Sequence, residues 1–83
     1  MTRNKHEACS DVSETVGADF DWTNSGTEDC EITHCDPPLM LNRYHVPAGG
    51  TVHAKVSPTA RPGTYEYECR CGRSETNPKI IIN

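Results

Sequence analysis

Pro62-Gly63-Thr64-Tyr65-Glu66-Tyr67-Glu68-Cys69-Arg70-Cys71 places a turn, an alternating strand and two thiols in one short stretch. Pro-Gly supplies the turn, and Thr64, Tyr65 and Tyr67 favour the pleated backbone. Strand side chains alternate between faces, so Tyr65, Tyr67 and Cys69 point one way while Thr64, Glu66, Glu68 and Arg70 point the other. A thiol therefore ends the apolar row of a half-buried strand. At such a place a metal ligand, a disulfide and a plain buried thiol have to be told apart.

Short strands divided by turn residues fill the rest of the chain. Asp11 to Val16 reads as an edge strand ended by Gly17. Phe20 and Trp22 share one face of the next strand, with Asp19, Asp21 and Thr23 on the other, before the turn Asn24-Ser25-Gly26. Cys30, Ile32 and His34 share a face opposite Glu31, Thr33 and Cys35, and Asp36-Pro37-Pro38 ends that strand, since proline removes a ladder donor and restricts its predecessor. Residues 39–46 read as a loop entering a short strand. Val52, Ala54 and Val56 alternate with Thr51, His53 and Lys55, and Lys79 to Asn83 closes the chain as an apolar strand. No window keeps the i, i+3, i+4, i+7 apolar spacing of a helix. Six or seven strands with regular turns point to an all-β sandwich or barrel. Residues 1–10 are polar and read as a mobile N-terminal segment, which leaves 11–83 as a single domain.

At 83 residues, with 34% of them apolar, hydrophobic burial alone leaves a thin margin against chain entropy. A covalent or metal staple would widen it. Cysteine supplies five candidates, at positions 9, 30, 35, 69 and 71, an odd number that leaves one thiol for another chain, a metal or no partner. Twelve acidic against eight basic residues give a net charge of −4. The cations are scattered, which argues against nucleic acid as a partner. Glu28, Asp29, Glu31 and Asp36 gather around two cysteines and read as a solvated face. The apolar runs Leu39-Met40-Leu41 and Ile80-Ile81-Ile82 are far too short to span a membrane. Residues 1–20 lack the apolar core of a secretory signal, so the chain as written reads as cytoplasmic. Its cysteine content suits an oxidising compartment, and export stays open.

Taken in order, four segments resemble the cupredoxin family of blue-copper β-sandwiches: Phe20-Asp21-Trp22-Thr23-Asn24, Val46-Pro47-Ala48-Gly49-Gly50-Thr51-Val52, Pro62 to Cys69, and Pro78-Lys79-Ile80-Ile81-Ile82-Asn83. The resemblance covers residues 18–83 and implies a small Greek-key β-sandwich. The family's copper site uses a His soon after the Trp-Thr-Asn-like strand, then a Cys, a second His and commonly a Met after the Tyr-x-Tyr strand. Cys69 matches that Cys. Cys30 occupies the first His position, and after Cys69 there is neither His nor Met. A centre of two imidazoles and one thiolate is not available there, so electron transfer does not come with the fold.

The resemblance also implies that Cys30 and Cys69 lie together at one end of the sandwich, both inward by strand parity. They fit two outcomes. One is a soft-metal site for copper or zinc, with Cys30 and Cys69 as core ligands, Cys71 as a third from the following loop, and Cys35, water or a partner's residue as the fourth. The other is a metal-free protein-interaction module stapled by a Cys30–Cys69 disulfide. Were Cys35 rather than Cys30 to face Cys69, the same arguments would hold with that residue exchanged. Gly72 would let the chain turn sharply around an ion. Of the histidines, His34 reads as a partly buried, satisfied side chain, His45 and His53 as surface residues, and His6 with Cys9 as adventitious metal binders in the mobile start. No catalytic motif stands in the sequence, so the expectation is a non-enzyme. Thiol exchange at Cys69-x-Cys71 is a third, weaker reading, because the usual redox pair is Cys-x-x-Cys at a helix N-terminus.

Overall fold

A computed structural model describes residues 3–33 and 38–83. Its elements are ten short strands: β1 (Asn4–Glu7), β2 (Val12–Glu14), β3 (Asp19–Thr23), β4 (Cys30–Thr33), β5 (Arg43–Val46), β6 (Thr51–Lys55), β7 (Gly63–Glu66), β8 (Glu68–Cys71), β9 (Ser74–Thr76) and β10 (Lys79–Ile82). They form three sheets, ordered β1-β3-β6, β2-β10-β7 and β5-β4-β8-β9. The result is an all-β, sandwich-like fold, as the alternating pattern implies.

Parity places the side chains. Phe20 and Trp22 on β3, Ile32 on β4, Val46 on β5, Tyr67 and Cys69 around β8, and Ile80 and Ile82 on β10 are all at most 2% exposed and share one core. Phe20 and Trp22 meet edge to face with centroids 5.1 Å apart, and Trp22 meets Tyr67 at 5.3 Å. Burying such rings removes the largest apolar areas in this aromatic-poor chain from water. The run from Gly63 to Cys71 keeps its alternation but is divided at Tyr67 between two sheets: β7 pairs with β10, and β8 with β4 and β9. One strand thus serves two sheets, which is part of why ten elements stand where six or seven were expected.

The chain start departs most from expectation. Residues 4–7 pair in parallel with β3, His6 opposite Trp22, and the ladder continues in Ala8 N–H donating to the Thr23 carbonyl at 2.8 Å. Polar composition misleads here because β1 lies at a sheet edge, where outward side chains meet water and the backbone supplies the bonding. Glu14, Asp21 and Asn24 are nonetheless buried polar or charged side chains. Glu14 is 5% exposed, and one of its carboxylate oxygens meets His6 Nε2 at 2.6 Å and accepts from Asn4 Nδ2 at 2.9 Å. His6, expected as an adventitious metal binder, instead packs against Phe20 and ties β1 to β2.

Candidate functional site

Four cysteines converge where β4 and β8 pair. Cys69 and Cys71 stand two apart on β8, hence on one face; Cys69 is fully buried and Cys71 half-buried. In the antiparallel β4–β8 ladder Cys30 lies directly opposite Cys71, and Ile32 opposite Cys69. Direct opposition brings Cα atoms close, and Cys30 and Cys71 are bridged by a disulfide with Cα atoms 4.1 Å apart. Cys9 reaches the cluster from the end of β1. Its φ of +66° is the sole positive value among described non-glycine residues and turns the chain inward. Cys9 is bridged to Cys69 across a Cα separation of 5.3 Å. The Tyr67 hydroxyl donates to the Ser10 carbonyl at 2.5 Å and fixes the same turn against the base of β8.

The two bridges touch. Cys9 Sγ lies 3.3 Å from Cys71 Sγ, and the sulfurs of Cys9, Cys69 and Cys71 all fall within 4.8 Å of one another. Among the described residues this is the one group of three or more His, Cys, Asp or Glu side chains close enough to share an ion.

Two loops frame the cluster. Asn24, 4% exposed, donates from Nδ2 to the carbonyls of Glu28 at 2.7 Å and Val46 at 3.0 Å, and accepts from Gly26 N–H at 2.9 Å. That fixes the segment leading into Cys30. On the other side Gly72-Arg73 makes the two-residue turn from β8 to β9, with Gly72 at φ +60°. A Cβ there would lie 1.2 Å from Glu28 Oε2, so the turn packs directly on the loop before Cys30. Glu7, Glu28, Cys30, Cys71, Arg73 and Ser74 line an open groove between these loops, and the Cys30–Cys71 bridge is reached from it.

Cys30 and Cys69 do share a face of one sheet, both buried, but they are not bonded to each other. The register sets Cys71, not Cys69, across from Cys30. Cys71 belongs to strand β8 rather than to a following loop. Its parity with Cys69 was readable from the sequence; the partner of Cys69 was not, because Cys9 sits in a polar segment in which Ala8 is the only core residue among those described. Cys35 and His34 lie outside the described residues. His45, 53% exposed, lies between Asp29 at 3.5 Å and Glu31 at 3.4 Å, and His53, 51% exposed, beside Asp19 at 3.2 Å, so both are surface residues.

No family model matches the chain, and no curated protein matches it. Solved structures do. An oxidised methionine-to-lysine variant of amicyanin, a cupredoxin, aligns with a TM-score of 0.66 at 12% identity, over 98% of this chain and 82% of that one. A reduced tryptophan-to-tyrosine variant gives 0.66 at 12% identity with the same coverage. A proline-to-glycine variant in its reduced Cu(I) form gives 0.64 at 13% identity, again over 98% and 82%. The chain has a cupredoxin-like fold. Its donor set does not fit a blue-copper centre: Cys69 is bonded to Cys9, Cys30 to Cys71, and the described histidines hold carboxylates elsewhere.

Proposed function

We propose that this domain is a binding protein whose sulfur cluster is a redox-gated site for one soft metal ion, zinc or cuprous copper. Closed as two disulfides, it staples the fold and offers no thiolate. Reduced, it offers Cys9, Cys69 and Cys71, with Cys30 as the fourth donor. The observation that carries this reading is the convergence of three sulfurs within 4.8 Å. Sulfurs around a tetrahedral zinc with bonds of about 2.3 Å stand roughly 3.8 Å apart, so small side-chain movements suffice. Softness of the donors selects zinc or Cu(I) over hard cations. Relative to the ligand set expected from the sequence, Cys9 replaces Cys35.

The bridges themselves favour a second reading, a permanently stapled, metal-free protein-interaction module. They also suit an oxidising compartment better than the cytoplasm. Among the described residues no helix is long and apolar enough to cross a membrane. One experiment separates the readings. The full chain is reduced anaerobically with a phosphine, freed of reductant, and titrated with cobalt(II) as a zinc stand-in and with Cu(I) against a competing chelator. The expected result is one ion per chain with intense thiolate-to-metal absorption, no ion on the oxidised chain, and at least a tenfold loss of affinity in Cys9→Ser. A reduced chain that retains no ion leaves the stapled module as the function.

A further inference from the structure

The contact between the two bridges has a chemistry of its own that requires no metal. We infer that Cys9–Cys69 and Cys30–Cys71 form a single exchange unit, in which a dithiol acting on the groove-side bridge moves the surviving disulfide to Cys9–Cys71 and leaves Cys30 and Cys69 as thiols. Three observations carry this. The nonbonded Cys9 and Cys71 sulfurs lie only 3.3 Å apart. The Cys30–Cys71 bridge lines the open groove, whereas Cys69 is fully buried. All four sulfurs sit on elements fixed by independent bonds, β4 and β8 by their ladder and Cys9 by β1 and the Tyr67–Ser10 hydrogen bond.

The steps balance. A thiolate of the dithiol attacks one sulfur of the Cys30–Cys71 bond, forming a mixed disulfide and expelling the other sulfur as a thiolate. The dithiol's second thiol then closes its own disulfide and releases the protein sulfur, so the reagent is oxidised by two electrons and Cys30 and Cys71 are reduced. The Cys71 thiolate attacks Cys9 Sγ; the Cys9–Cys71 bond forms, the Cys9–Cys69 bond breaks, and Cys69 leaves as a thiolate that takes up a proton. This last step is redox-neutral. Its effect is to carry a reducing equivalent from the groove to a sulfur that no external thiol touches.

The full-length chain carrying Cys35→Ser is treated under native conditions with limiting dithiothreitol, quenched in acid, labelled at its thiols and mapped by peptide mass. The expected singly reduced species carries label on Cys30 and Cys69 together with a Cys9–Cys71 linked peptide, as at least a tenth of the population, and no Cys9–Cys30 peptide. Label confined to Cys30 and Cys71, or to Cys9 and Cys69, overturns the inference. So does a Cys9–Cys30 peptide as abundant as Cys9–Cys71, because that pattern reports scrambling in an opened chain. A second variant reads the same step without reductant: Cys30→Ser frees Cys71 beside an intact Cys9–Cys69 bridge, and a mixture of Cys9–Cys69 and Cys9–Cys71 is expected, whereas Cys9–Cys69 alone counts against the inference. Neither arm contains a metal, so its outcome is independent of the ion titration.

Discussion

Asn24 illustrates how much a single side chain does near the cluster. Both its amide donors and its carbonyl are used inside the protein, and its backbone N–H and carbonyl engage Gly50 and Gly49 at 3.1 and 2.7 Å. A sequence reading finds only a turn residue in Asn24-Ser25-Gly26. The structure makes it the clip that joins the loop before Cys30 to the turn between β5 and β6. Asn24→Ala leaves the carbonyls of Glu28 and Val46 without this donor, and a buried group left unpaired costs about 1–3 kcal/mol. The expected loss is about 2–3 kcal/mol by urea unfolding of the oxidised chain, with the disulfides unchanged by mass. Asn24→Asp keeps the acceptor for Gly26 but not the two donors, and is expected to lose nearly as much.

At the scale of elements, β1 shows why polarity alone misjudges order. Nothing in Asn4-Lys5-His6-Glu7 supplies an apolar face, yet a parallel pairing to β3, the buried His6–Glu14 contact and the Cys9–Cys69 bridge hold it. That bridge closes a loop of 60 residues, for which the chain-entropy account gives about 4 kcal/mol. The double variant Cys9→Ser/Cys69→Ser is expected to lose about 3–4 kcal/mol and roughly 15–25 °C in Tm, measured by calorimetry. Hydrogen exchange should localise the increased opening to β1 and the adjoining turn before β3 is affected. The core strands were legible because alternation is local: Phe20 with Trp22, Cys30 with Ile32, and Tyr67 with Cys69 each follow from a period of two. The division of the Gly63–Cys71 run between two sheets was not, since it depends on which strands arrive from elsewhere.

For the whole molecule, a cupredoxin-like fold without the family's donor set separates architecture from chemistry. Copper(II) added to the oxidised chain carrying Cys35→Ser is expected to give none of the intense thiolate-to-copper absorption of a blue-copper centre, by visible spectroscopy; its appearance would mean that one of the four bridged cysteines is a copper-binding thiolate. The sequence by itself determined the strand periodicity, the all-β class, the absence of His and Met after Cys69, and the inward parity of Cys30 and Cys69, because each is a property of residue order and type. Only tertiary structure decided that Cys30 faces Cys71 and that Cys9 arrives to bond Cys69. Those pairings depend on strand register and on the path of a chain end across a neighbouring sheet, and contacts 41 and 60 residues apart leave no periodic trace in the sequence.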